Sequence, residues 1–116
     1  MSITIYHNPK CGTSRKVLAA LEEAGHQPEV VEYLKTGWTA EQLHGLFTAA
    51  GISAGEALRT FKTNAGELGL TRDGVAGEEI IAAMVSDPVL VNRPFVVTPK
   101  GTALCRPPEK LADILP

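Results

Sequence analysis

A chain of 116 residues with a formal net charge of −2 and 44% hydrophobic residues has the size and composition of one globular domain built on one core. The charge gives no general attraction for a polyanion, and no apolar run approaches the ~18 residues needed to cross a bilayer, which sets nucleic-acid binding and membrane insertion aside. The cysteine count is two, Cys11 and Cys105; they are far apart and outside any CxxC pair, which argues against a disulfide scaffold and for a reducing compartment. No secretory leader is visible, so a cytoplasmic protein is expected, with 1–116 as a single domain and the monomer as the working form.

The alternating segment Ser2-Ile3-Thr4-Ile5-Tyr6 predicts a first strand. A helical pattern with Val17, Leu18 and Leu21 on one side follows, from about Thr13 to Ala24, and Gly25 suits a left-handed residue just past its end. Cys11 therefore falls in a strand-to-helix turn. There the N–H groups of Gly12, Thr13 and Ser14 are expected to point toward its sulfur, and the positive end of the helix dipole favours both a thiolate and an oxyanion. A cysteine so placed ionises more readily than a free one. Residues Glu29 to Tyr33 read as a second strand, and a strand, helix and strand in so short a stretch make a right-handed βαβ unit with parallel strands.

The middle of the chain is helical. Thr39 with Gln42 forms a capping box ahead of Ala40, Leu43, Leu46, Phe47 and Ala50, and Gly51 ends the pattern. Short helical pieces are predicted around Ser53 to Arg59 and Asn64 to Leu68, and an amphipathic helix over Glu78 to Val85, which Asp87-Pro88 stops. His26 and His44 read as solvent-facing. Strand signals return at Phe95-Val96-Val97; Pro99-Lys100-Gly101 makes a turn, and Ala103-Leu104-Cys105 forms the other arm of a hairpin. Pro107 fits the first turn of a final helix whose buried side is Leu111, Ile114 and Leu115.

The order β, α, β, several α, β, β, α defines an α/β fold: a mixed four-stranded sheet flanked by helices, with a helical insertion between the second and third strands. This is the thioredoxin-like arrangement. Arg93-Pro94 occupies the place where that fold holds a cis proline opposite the reactive cysteine, which makes Pro94 the cis-proline candidate. Four segments, Tyr6-His7-Asn8-Pro9-Lys10-Cys11-Gly12-Thr13-Ser14-Arg15, Leu58-Arg59, Asn92-Arg93-Pro94-Phe95-Val96-Val97-Thr98-Pro99 and Leu104-Cys105-Arg106-Pro107, closely resemble the glutaredoxin-dependent arsenate reductase family, in order and over essentially the full chain. The resemblance implies a nucleophilic Cys11, oxyanion-binding Arg59, Arg93 and Arg106, a His7 that helps lower the cysteine pKa, and an anion loop of Gly12, Thr13, Ser14 and Arg15. It further implies arsenate as substrate, glutathione as co-substrate, glutaredoxin as partner, and arsenic detoxification as the role, with no metal or tightly held cofactor.

The chemistry of these residue types agrees. A doubly charged oxyanion needs several fixed positive donors, and arginine's planar fork meets a tetrahedral oxyanion better than lysine's point charge. The same guanidinium groups favour thiolate over thiol. Taken singly, each arginine reads first as a surface cation or salt-bridge partner, and His7 equally as a polar strand end; the joint match of the arginines to the motif is what carries the functional reading. Cys105 reads as structural, since a regular strand that aims Arg106 at the site aims Cys105 away from it. A reductase of another oxyanion stays open. So does a related thioredoxin-fold regulator that binds RNA polymerase, although such regulators usually carry CxxC at the helix start, where Ser14 stands here. A small phosphatase needs cysteine and arginine separated by five residues, and Cys11 and Arg15 have three between them.

Overall fold

In the computed structural model, which describes residues 2–116, the first strand β1 (Thr4–His7) alternates buried and half-buried residues, as expected of a strand with one face in the core. β1 is an inner strand of a mixed sheet in the order β2-β1-β3-β4. It runs parallel to β2 (Glu29–Glu32) and antiparallel to β3 (Phe95–Thr98), which in turn pairs antiparallel with β4 (Gly101–Leu104). Helix α1 (Gly12–Glu23) makes the crossover between β1 and β2 and buries Ser14, Val17 and Leu21. Gly25, with φ 88°, lies just past its end, in the region an L side chain rarely adopts.

The chain falls into two units, one taking the sequence up to Thr36 and again from Arg93, the other Gly37–Asn92. In the first, Ile3, Ile5, Val17, Leu21, Val96, Cys105, Leu111 and Ile114 form the core. Ile5 is fully buried, so truncating it to alanine costs about 2–5 kcal/mol. The Thr98 hydroxyl donates to the Ile114 carbonyl at 2.6 Å and ties the C-terminal segment to β3.

The second unit holds α3 (Ala40–Ala50), α4 (Ala54–Ala57), α5 (Gly77–Ser86) and a 3-10 turn at Pro88–Leu90. The Thr39 hydroxyl accepts from the Gln42 N–H, and Gly51 closes α3 in the left-handed conformation. Ser53 and Glu56 form a reciprocal capping box at α4, which lets so short a helix hold its first turn. Leu43, Leu46, Phe47, Ile80, Ile81, Met84 and Leu90 are buried. Leu58 bridges to Val91, and Asn92 N–H donates to the Ala57 carbonyl at 2.8 Å. His44 is exposed and lies 3.2 Å from the Glu78 carboxylate. Among the described residues, no helix is long and apolar enough to cross a membrane.

Several boundaries differ from the expected ones: the last strand runs from Gly101 to Leu104 and leaves Cys105 outside it, and three further differences are larger. The second strand stops at Glu32, and Tyr33 opens a short helix, α2 (Tyr33–Thr36). Glu32 is the last residue in register with β1, opposite His7; beyond it the neighbouring chain turns away at Asn8-Pro9, and Tyr33 is buried at the start of α2. The Asn64 to Leu68 stretch forms hydrogen-bonded turns in place of a helix. The final segment is a 3-10 helix, Pro108–Asp113, with Pro107 outside it at φ −67° and ψ 165°. Pro108 causes this, because a residue preceding proline is pushed out of the helical region.

Candidate active site

β1 delivers the chain to the site and α1 carries it away. Between them the Asn8 side chain accepts from the Lys10 N–H at 3.0 Å, and the Asn8 carbonyl accepts from the Cys11 N–H, also at 3.0 Å. These two bonds fold Asn8 to Cys11 into a tight turn. Cys11 is the N-cap, with extended backbone (φ −95°, ψ 122°), and the first helical bond runs from Arg15 N–H to the Cys11 carbonyl. Its side chain is not used for capping, so the sulfur stays in front of the helix start.

Cys11 is 8% exposed. Burial of the sulfur pushes its pKa up, but hydrogen bonds from the Arg93 guanidinium, the Ser14 N–H and Arg106, together with the Arg93 charge, outweigh that and bring it down to about 7. Near neutral pH a large fraction of the sulfur is therefore thiolate. Arg106 Nη1 lies 3.8 Å from the Cys11 sulfur and also donates to the Arg93 carbonyl at 3.2 Å. One arginine thus holds the backbone of the other while both face the sulfur. The Arg93–Pro94 peptide is cis, as is Arg106–Pro107, so each sulfur-facing arginine precedes a cis proline. Arg93 is buried although charged, and a charge so placed needs an anionic partner.

His7, at the end of β1, is buried and touches the loop through Ser14: its Nδ1 lies 2.6 Å from the Ser14 hydroxyl, which accepts from Asn8 N–H at 3.1 Å. Burial holds the imidazole below its ordinary pKa; the Glu32 carboxylate works against this, and Arg15 adds to it. A neutral ring can accept the Ser14 proton at Nδ1, which leaves its own proton on Nε2. His7 therefore reaches the sulfur indirectly, by fixing the residue whose N–H donates to it. Gly12 is exposed and Thr13 half-buried in the first turn of α1. Arg15 is exposed, and its guanidinium donates to the Pro9 carbonyl at 2.8 Å, clasping the loop from outside.

Cys11, His7, Ser14, Arg15, Arg93 and Arg106 all belong to the first unit; Arg59 lies in the second, following the Leu58–Val91 bridge, with its N–H donating to the Leu90 carbonyl at 2.8 Å. Cys105 is fully buried in the apolar core, while its neighbour Arg106 faces Cys11. The sequence reading gave Asn8 no role of its own. The Asn-Pro pair ahead of the cysteine was the available signal, since asparagine before a turn accepts from the backbone two residues on.

Fold and site together define a thioredoxin-like protein whose helix-start cysteine has a lowered pKa and faces two guanidinium groups, a class suited to thiolate chemistry on an oxyanion. The ArsC family model matches residues 6–114. An arsenate reductase of Synechocystis sp., ArsI2, is 56% identical over 97% of this chain and 81% of its own length. An arsenate reductase of Rhizobium meliloti is 50% identical over 100% of this chain and 83% of its own. The solved arsenate reductase of Vibrio cholerae superposes with a TM-score of 0.93 at 38% identity, covering 99% of this chain and 98% of that one. The chain belongs to the ArsC family.

Proposed function

We propose that this protein is an arsenate reductase that works through a covalent adduct on Cys11. The observation that carries the reading is the low-pKa sulfur of Cys11, facing the guanidinium groups of Arg93 and Arg106 at a helix start. The thiolate attacks arsenic, the sulfur–arsenic bond forms, and an arsenic–oxygen bond breaks as that oxygen takes up protons and leaves as water. Arsenic is still pentavalent in this adduct. A glutathione thiol attacks next, and glutathione and then glutaredoxin supply the two electrons that release arsenite, the thiols ending as a disulfide. Ser14 supports an external thiol, because the fourth position of the turn offers a hydroxyl already engaged with His7 and no second sulfur.

In this proposal Arg93, Arg106 and Arg59 bind the oxyanion, with Gly12, Thr13, Ser14 and Arg15 forming the anion loop. His7 acts as a positioning residue through Ser14. The chain works as one domain and as a monomer in a reducing cytoplasm, where both cysteines persist as thiols. The test is turnover of arsenate with glutathione and glutaredoxin, each thiol donor omitted in turn. Arsenite should form only with the donors present, and Cys11→Ser should fall to background; activity that survives Cys11→Ser would end the reading.

A further inference from the structure

We infer that a cavity beside the Cys11 turn seats the γ-glutamyl end of the thiol co-substrate; this rests on the proposed use of glutathione. The cavity has a volume of about 180 Å³ and is lined on one side by the His7–Lys10 end of β1 and its turn, and on the other by Glu32, Leu34 and Lys35. All of these residues belong to the first unit. The Lys10 N–H donates to the Asn8 side chain and the Cys11 N–H to the Asn8 carbonyl, each at 3.0 Å, so one wall of the cavity and the reactive sulfur share a single fixed turn. A ligand anchored on that wall is one or two residue lengths from the sulfur, roughly 3.5 Å each.

Size and charge choose the occupant. The volume is below the ~300 Å³ at which sites for whole small molecules begin, so the cavity takes one end of a tripeptide. The glycyl end of glutathione carries a carboxylate alone, whereas the γ-glutamyl end carries a carboxylate and an ammonium on the same carbon. At the cavity rim the Lys35 ammonium lies 3.5 Å from the Glu32 carboxylate, a cation and an anion side by side, and Lys10 adds a second cation to the lining. A zwitterion meets such a pair head to tail, with its carboxylate on the lysines and its ammonium on Glu32. The Lys35 side chain is 77% exposed and that of Glu32 38%; a pair so exposed contributes little to folding, which leaves it able to exchange partners with a ligand. Leu34 and Pro9, both exposed, supply apolar surface for the methylene groups of the γ-glutamyl chain.

The experiment is an NMR titration of the full chain with S-methylglutathione, whose blocked thiol permits no chemistry, and with its two halves, S-methyl-γ-glutamylcysteine and S-methylcysteinylglycine. The γ-glutamyl half should bind nearly as well as the whole, and the cysteinylglycine half about fivefold more weakly, the upper worth of an exposed ion pair. Lys35→Glu should weaken both γ-glutamyl ligands about fivefold and leave the cysteinylglycine compound unchanged, whereas Lys35→Arg, which keeps the charge, should match the parent. Arsenate turnover by the parent, with and without glutathione, is measured alongside. If turnover needs glutathione but the two halves bind alike, or Lys35→Glu and Lys35→Arg behave alike, the site is overturned and the reading of glutathione as co-substrate stands. If the parent makes no more arsenite with glutathione than without it, that reading falls and takes the site with it.

Discussion

The two cysteines of this chain are both buried, Cys11 at 8% exposure and Cys105 at 0%, yet their thiols move in opposite directions, to about 7 and to about 12. At Cys105 burial is the largest influence and pushes the thiol up; Lys110 lowers it and Asp113 raises it. Its surroundings are Ile3, Ile5, Val96, Leu111 and Ile114, and its sulfur makes a long contact to the Ala103 carbonyl, at 3.9 Å, an acceptor that cannot stabilise a thiolate. At Cys11 burial also pushes up, but three donors face the sulfur and reverse the sign. Removing water from a sulfur is thus not what makes it reactive. What replaces the water decides: apolar side chains at one cysteine, guanidinium and backbone N–H groups at the other.

The comparison breaks most visibly in activity. Cys11→Ser should abolish arsenate reduction, whereas Cys105→Ala should keep full turnover and cost about 1 kcal/mol of stability for the small cavity it leaves. Loss of activity in Cys105→Ala without loss of fold would give the second thiol a redox role. Arg93→Lys comes next. The charge remains but the fork is lost, so the arsenate KM should rise roughly tenfold, the loss of one charge-assisted hydrogen bond, and the alkylation midpoint of Cys11 should move up. An unchanged KM would mean that charge alone matters. The corresponding change at Arg106 should shift the midpoint less, because Arg93 contributes both a stronger hydrogen bond and its charge.

A third effect lies in stability against pH, and the two thiols contribute with opposite signs. Cys11 has a folded pKa below its unfolded value of about 8.5, so its thiolate stabilises the fold above that pH, and the contribution is lost as pH falls through about 7. Cys105 has a raised folded pKa; its contribution is complete below the unfolded value and is lost as pH rises from there toward about 12. Chemical denaturation from pH 6 to 9 should therefore show the parent gaining on Cys11→Ser as pH rises, and from pH 8.5 upward losing ground to Cys105→Ala. Parallel curves would contradict both assignments. The smallest effect belongs to Asp113→Asn, which should leave Cys105 inert, since burial outweighs the charges around it.

The half of the site that is contiguous in sequence was legible from it. Alternation in Ser2 to Tyr6 and the apolar spacing of Val17, Leu18 and Leu21 fix a strand-to-helix turn, and a helix start carries N–H donors wherever it occurs. The convergence of Arg93 and Arg106 on the sulfur came from resemblance, because nothing in the spacing of two distant arginines says that they meet. Cys105 and Arg106 do face opposite ways, but not by strand alternation: β4 ends at Leu104, one residue short of the expected arm, and both residues lie beyond it. The positions that escaped are those where the environment overrides local pattern. Tyr33 favours a strand by type, but the β1–β2 register ends one residue before it, where the neighbouring chain turns at Asn8-Pro9. Pro107 looks like a helix opener until Pro108 is considered.

The most direct test of the central claim is the rate of iodoacetamide alkylation of Cys11 against pH, measured in the Cys105→Ala protein so that one thiol reports. A midpoint near pH 7 is expected if guanidinium and N–H donors hold the sulfur ionised. A midpoint at about 8.5 or above, the range of an unperturbed thiol, would contradict the account.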